Sequence, residues 1–130
     1  ILDKLGMPAD EIATVCSAIG NHDESTAFPV NAVAAALILA DKTDVRRTRV
    51  RNRDKATFDI HDRVNYAVEK ASTTLDAAGK AVVLDLQLDT GMSPVIDYFE
   101  IFLERMLLCR KAAEKLGLSF RLVVNGQTVL

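Results

Sequence analysis

The chain has 130 residues, 49% of them hydrophobic, and a formal net charge of −2. This length suits one compact domain with a single hydrophobic core. The small negative net charge argues against a general nucleic-acid binder, whose surface would be strongly basic. The apolar runs fall short of the roughly 18 to 20 residues that span a bilayer, so we expect no membrane partner.

Two cysteines, Cys16 and Cys109, stand at apolar-periodic helical positions and lack CxxC spacing. Such residues usually behave as small hydrophobic side chains in a reducing compartment. We therefore expect two reduced, buried thiols in a cytoplasmic protein.

The first half of the chain predicts three or four helices. The opening "ILDKLG" has the pattern of a helix that ends at Gly6, which suggests that an upstream segment precedes it. A helix that begins near Asn31 is apolar on nearly every side through Ala40, as is typical of a helix buried in a bundle. Flanking helices start near Asp10 and at "DIHDRVNYAVEKA", and their predicted buried positions are Ile12, Val15, Cys16, Ile19, Ile60, Val64, Ala67, Val68 and Ala71.

The second half changes period after residue 71. The stretch "TTLDAAGKAVVLDLQLD" alternates around an Ala78-Gly79 turn and predicts a hairpin. A long helix then runs from Ser93-Pro94 to Gly117, and two strands follow around an Asn125-Gly126 turn. We expect an α+β fold in which the helices of residues 1–71 pack as one unit with a small antiparallel ββαββ tail, residues 72–130.

Two polar residues at helix ends are candidates for a metal site. The neutral imidazole of His22 can bind a divalent cation, and a carboxylate from another helix is a natural second ligand. Asp41 ends an apolar helix, where a carboxylate is costly unless a cation meets it. Lys42, an arginine or a metal ion would each do so. The residues alone therefore leave open a metal site and a salt-bridged Asp41 beside a capping His22.

An arginine run from Arg46 to Arg53 follows this aspartate. Guanidinium groups match phosphate oxygens bidentately. Arg46 and Arg47 come first after Asp41 and are the predicted phosphate contacts, whereas a solvated arm is expected for Arg49, Arg51 and Arg53. The alternative is that the run pairs with nearby acids, namely Asp54, Asp59 and Asp62. The run has no interleaved aromatic residues, which argues against nucleic-acid binding.

The stretch from Ile12 to Arg49 resembles the later half of an HD-domain phosphohydrolase. The similarity rests on "NHDE", "AFP" and "AALILADKTDVRR", since a histidine turn in that family precedes a helix that ends in an "ADK" or "ADxxD" aspartate. "NHD" and "AFP" are also similar to the "HHE" and "GYP" motifs of the HD-GYP branch. Histidines, a His-Asp pair and a late aspartate hold one or more metal ions in this family. The resemblance puts Asp41 in the place of the late aspartate, and His22 in that of a histidine that binds metal or contacts substrate.

The chain also departs from the family pattern. Asn21 stands where a paired histidine would be, "AFP" replaces "GYP", and no earlier histidine or His-Asp pair exists. The pair His61-Asp62 comes after the "ADK" aspartate, in the wrong order, and we interpret it as the first turn of a helix. We expect the missing ligands in an upstream segment.

The resemblance implies the C-terminal portion of a bacterial-type phosphohydrolase that acts on a nucleotide or other phosphoester. It implies a divalent metal (manganese, magnesium, iron or zinc) held by Asp41 and His22, with His22 also in a catalytic role and Arg46 and Arg47 on the substrate phosphate. The alternative is a non-catalytic dimerisation or regulatory module. The short closing strand "TVL" predicts an edge through which a homodimer would pair.

Overall fold

The computed structural model describes residues 1–23, 26–52 and 54–130, which contain four α-helices, three short 3-10 helices (Asp3–Leu5, Arg47–Arg49 and Lys55–Thr57) and a four-stranded sheet. The helices are α1 (Ala9–Gly20), α2 (Ala32–Lys42), α3 (Ile60–Ala67) and α4 (Val95–Lys115). The strands are β1 (Val68–Asp76), β2 (Ala81–Leu88), β3 (Ser119–Val124) and β4 (Gln127–Thr128). Within these ranges no helix has the length and apolar character needed to cross a membrane.

The sheet is mixed, with the strand order β1-β2-β3-β4. The outer pairs are antiparallel, whereas β2 and β3 run parallel. The predicted α+β class is confirmed, but the expectation of an antiparallel sheet is wrong at its centre. The reason is that α4 carries the chain back along the sheet, so β3 starts at the same end as β2.

The inner face of the sheet forms the core with α2 and α4. The predicted hairpin pairs Ala71 with Leu86 and Asp76 with Ala81. Alternate residues of β2 and β3 point inward and are buried, namely Val82, Leu84, Leu86, Leu88, Phe120, Leu122 and Val124. One hydrophobic cluster includes these residues and side chains of α2 and α4. The division at residue 71 stays a prediction.

Strand β1 begins earlier than the sequence predicts. The helix expected to reach Ala71 ends at Ala67, and Val68 already pairs with Leu88. Pairing with β2 provides a full ladder for these residues, so tertiary contacts override the helical spacing of Val64, Ala67 and Val68.

The buried faces of the first helices also differ from expectation. In α1, Cys16 is exposed and Ile19 is 57% exposed, whereas Ala18 is buried. The prediction of a buried Cys16 is therefore wrong, while that of a buried Cys109 outside any disulfide is confirmed. In α2, Val33 is 46% exposed, so the helix buries one face against the core and does not lie in the middle of a bundle.

Candidate functional site

The C-terminal end of α2 presents Asp41 beside a buried cation. Asn31 caps the start of this helix, where its side-chain oxygen accepts from the Ala34 amide at 2.8 Å. At the other end, Lys42 Nζ lies 2.7 Å from Asp41 Oδ2, with side chains 7% and 40% exposed respectively. The helix thus places a shielded ammonium against a carboxylate that solvent still reaches, and this contact uses one carboxylate oxygen.

Opposing effects act on the pKa of Asp41. Burial raises it, whereas the hydrogen bond from Lys42 and the charges of Lys42, His22 and Arg105 lower it, and the net pKa lies below the usual value. Asp41 is therefore ionised at neutral pH. Both possible roles, metal ligand and salt-bridge partner, require an ionised carboxylate.

His22 lies close enough to Asp41 for its charge to act on the carboxylate. Its Nδ1 is 2.6 Å from the carbonyl oxygen of Ile19 at the end of α1. Because a carbonyl only accepts hydrogen bonds, this contact puts the proton of the neutral ring on Nδ1 and leaves the Nε2 lone pair as an acceptor. The end of α1 therefore lies near enough to Asp41 for the charge of His22 to lower the pKa of that carboxyl.

Asn21, the residue before His22, caps the end of α1. Its side-chain amide donates to the Ser17 carbonyl at 2.8 Å, and its backbone amide donates to Ala18 at 3.3 Å. The residue is a helix C-cap in this chain.

Arg105 is a further cation that acts on Asp41, and the sequence did not single it out. It lies on α4, which packs against α2, and its charge lowers the pKa of Asp41. The guanidinium carbon is 4.9 Å from the centre of the Phe102 ring, which fixes its side of the helix. No local pattern identifies this residue, because its position beside Asp41 depends on how two distant helices pack.

His22 and Asp41 are two groups, and a protein metal site usually has three or more protein ligands. Across residues 1–23, 26–52 and 54–130, no cluster of three or more histidine, cysteine, aspartate or glutamate side chains is arranged to hold a metal ion. The role of His22 and Asp41 as ligands stays a prediction.

Arg46 and Arg47 point to a different part of the surface. Arg46 Nε donates to Asp44 Oδ1 at 2.7 Å, and Arg47 Nε donates to the Tyr66 carbonyl at 3.1 Å. Arg47 also lies 3.7 Å from a Glu69 carboxylate oxygen. Both arginines line a cavity of about 440 Å³ at the β1 edge, and neither is among the charges that shift the pKa of Asp41. Their role as phosphate contacts stays a prediction.

Among the described residues of the run, Arg49 pairs with an acid other than Asp54, Asp59 and Asp62, which the sequence suggested. Arg49 Nη1 donates to Asp44 Oδ2 at 3.3 Å, so Asp44 is the acid that the run shares. Arg51 is exposed, as a solvated arm requires, and Arg53 lies outside the described residues.

The pair His61-Asp62 opens α3, as interpreted from its order in the chain. Asp59 caps the helix by accepting from the Asp62 amide at 2.7 Å, and His61 is exposed. Asp62 accepts from the Asn52 side chain at 3.3 Å. These contacts are those of a helix N-terminus.

No protein-family model, curated protein or solved structure matches the chain. The geometry of His22, Asp41, Lys42 and Arg105 is therefore the basis for any functional assignment.

Proposed function

We propose that this chain carries part of the active site of an HD-type metal-dependent phosphohydrolase that acts on a nucleotide or other phosphoester. The observation that carries the proposal is the hydrogen bond of His22 Nδ1 to the Ile19 carbonyl, in a residue whose charge acts on the Asp41 carboxyl. Metal-binding histidines commonly donate one ring N–H to a carbonyl or carboxylate, which leaves the other nitrogen for the metal. The Nδ1 contact to Ile19 at 2.6 Å has this form.

In this proposal Asp41 and His22 Nε2 hold one side of a divalent metal (manganese, magnesium, iron or zinc). Such an ion lowers the pKa of bound water and supplies a nucleophile near neutral pH. The low pKa of Asp41 keeps its carboxylate ionised for this role. On the HD pattern, a further histidine and a His-Asp pair must complete the site from elsewhere in the protein.

The cations near Asp41 suit a negatively charged substrate. Lys42 and Arg105 both act on the Asp41 carboxylate, and either side chain would also favour a phosphate group brought to a metal there. Arg46 and Arg47 are engaged with Asp44, Tyr66 and Glu69, so contact with substrate would require them to exchange those partners.

The experiment is to measure metal content and phosphoester hydrolysis on the natural full-length protein, with a panel of nucleotides and with manganese or magnesium. We expect Asp41→Asn and His22→Gln to lose bound metal and activity together. Asp44→Asn is the matched control, because it removes an equivalent carboxylate that serves Arg46 and Arg49. Hydrolysis that survives Asp41→Asn unchanged would contradict the proposal.

The second candidate is a non-catalytic dimerisation or regulatory module. The observation that favours it is the contact of the buried Lys42 with Asp41 at 2.7 Å, which gives one carboxylate oxygen a cationic partner without a metal. In that case Asp41→Asn changes the free energy of unfolding, and neither the parent protein nor the variant binds metal or hydrolyses the panel.

A further inference from the structure

Strand β1 presents a long open edge. It is the first strand in the sheet order, and six of its nine residues are exposed. A free edge offers a row of unpaired backbone groups to any second strand, and proteins usually blunt such edges with charges or bulges. Here the charges of Glu69 and Lys70 and a register shift lie at the start of the strand. From Ser72 to Leu75 there is no charge, and Leu75 is 65% exposed.

The opposite edge of the sheet is much shorter. Strand β4 has two residues, and the chain after it keeps bonding to β3, with the Val129 amide donating to Leu122 at 2.9 Å. The Leu122 amide in turn donates to Leu130 at 2.9 Å. The closing "TVL", at which the sequence predicted a homodimer edge, is therefore a weaker template than β1.

We propose that β1 pairs antiparallel with β1 of a second copy of this chain, with the two-fold axis at Thr73, so that the two sheets become continuous. This inference does not depend on the proposed hydrolase function. Closed two-fold association through one self-complementary surface is the commonest form of homodimer.

The register follows from the faces of the strand. Ala71, Thr73 and Leu75 pair with Leu86, Leu84 and Val82, whose side chains form the buried face of β2. An axis at Thr73 puts Ala71 opposite Leu75 of the second copy, and both point to that inner face. It also puts Lys70 opposite Asp76 of the second copy on the outer face, which is a complementary charge pair.

Neighbouring registers lose this match. An axis at Ser72 would put Lys70 opposite Thr74 of the second copy and Glu69 opposite Leu75. An axis between two residues would pair an inner face with an outer face, because side chains alternate along a strand. Asp76 also accepts from Arg121 at 3.3 Å, so Lys70 would become the second cation on this carboxylate.

A groove beside β1 gives the incoming leucine a place to bury. A cavity of about 460 Å³ lies between α2 and β1, and its lining includes Leu39, Ala40 and Ala71. Since Leu75 of the second copy sits opposite Ala71, its side chain would enter this groove. Arg46 and Asp44 also line the groove, and the Arg46 side chain, 57% exposed, would have to give up its 2.7 Å contact with Asp44 to turn outward.

Disulfide trapping tests the register. Across an antiparallel pair, directly opposed Cα atoms lie about 4.5 to 5.5 Å apart, which is within disulfide range. We expect Thr73→Cys to form a covalent dimer under mild oxidation, in a Cys16→Ser background that removes the exposed native thiol. The matched control is Ala77→Cys, which is also exposed but lies far from its own copy in this register. Equal cross-linking of the two variants would overturn the proposal.

Mass in solution tests the dimer itself. We expect light scattering on the full chain to give twice the monomer mass and Leu75→Lys to shift the protein to monomer. Burial of one leucine is worth about tenfold or more in the dissociation constant. Ile96→Lys is the control, since Ile96 is 70% exposed on α4, and this variant should remain dimeric. The inference is refuted if the parent chain is monomeric, even if it pairs with a different protein. It is also refuted if both variants lose the dimer equally.

Discussion

Replacement of Asn125 should weaken the sheet more than an exposed turn residue normally does. Its side-chain oxygen accepts from the Leu88 amide at 2.8 Å, and its amide nitrogen donates to the Leu88 carbonyl at 3.1 Å. The residue therefore pairs with the last residue of β2 as a further strand residue would. Its φ of +49° lies in the left-handed region, which asparagine tolerates better than most residues.

The expected cost follows from these features. Each lost hydrogen bond is worth about 1 kcal/mol, and left-handed φ costs alanine about 1 kcal/mol more. Asn125→Ala should therefore lower the free energy of unfolding by about 3 kcal/mol. Asn125→Gly loses both hydrogen bonds but adopts this φ freely, so its cost should be about 2 kcal/mol.

Urea unfolding of the parent and of both variants measures these costs, with an unchanged slope as the check that all three unfold alike. The order parent, glycine, alanine is the expected result. If both variants unfold within about 0.5 kcal/mol of the parent, the side-chain bridge to Leu88 contributes nothing and the reasoning fails.

Two further predictions concern titrating groups. The pKa of Asp41 is lower in the folded protein than in the unfolded chain. The ionised carboxylate therefore stabilises the fold above the unfolded pKa, and this stabilisation is lost as the pH falls through the folded pKa. Urea unfolding between about pH 5 and pH 2 should show a smaller loss of stability for Asp41→Asn than for the parent. An equal loss would contradict this. The two tyrosines should ionise in separate steps by ultraviolet titration, because the hydrogen bond from Lys55 lowers the pKa of Tyr66 and burial raises that of Tyr98. Lys55→Met should move only the lower step upward, and a single joint step would refute the assignment.

Local signals predicted the elements whose ends carry strong turn chemistry. The Ser93-Pro94 start and Gly117 stop agree with α4, and Gly117 has a φ of +72°. The alternation around Ala78-Gly79 agrees with the β1–β2 hairpin. Such features can be predicted from the sequence because they depend on residues that are neighbours in the chain.

Other features depend on partners that are distant in the chain. The parallel pairing of β2 with β3 follows from the path of α4, and the exposure of Cys16 follows from the packing of α1 on α2, in which α1 buries Ala18 instead. At the candidate site, the family resemblance pointed to His22 and Asp41, whereas Arg105 acts on Asp41 only because α4 packs against α2. Sequence periodicity reports which residues prefer burial, but not which neighbours they meet.

The parallel pair at the centre of the sheet has a consequence for how the chain folds. The β1–β2 hairpin closes locally, whereas β2 and β3 pair Ala81 with Ser119 and Leu86 with Val124 across the whole of α4. Closing such a non-local pair costs chain entropy before its contacts compensate, so it forms slowly. Strand β3, which completes the middle of the sheet, is therefore synthesised only after β2 and the whole of α4, and until β3 docks β2 is paired with β1 alone.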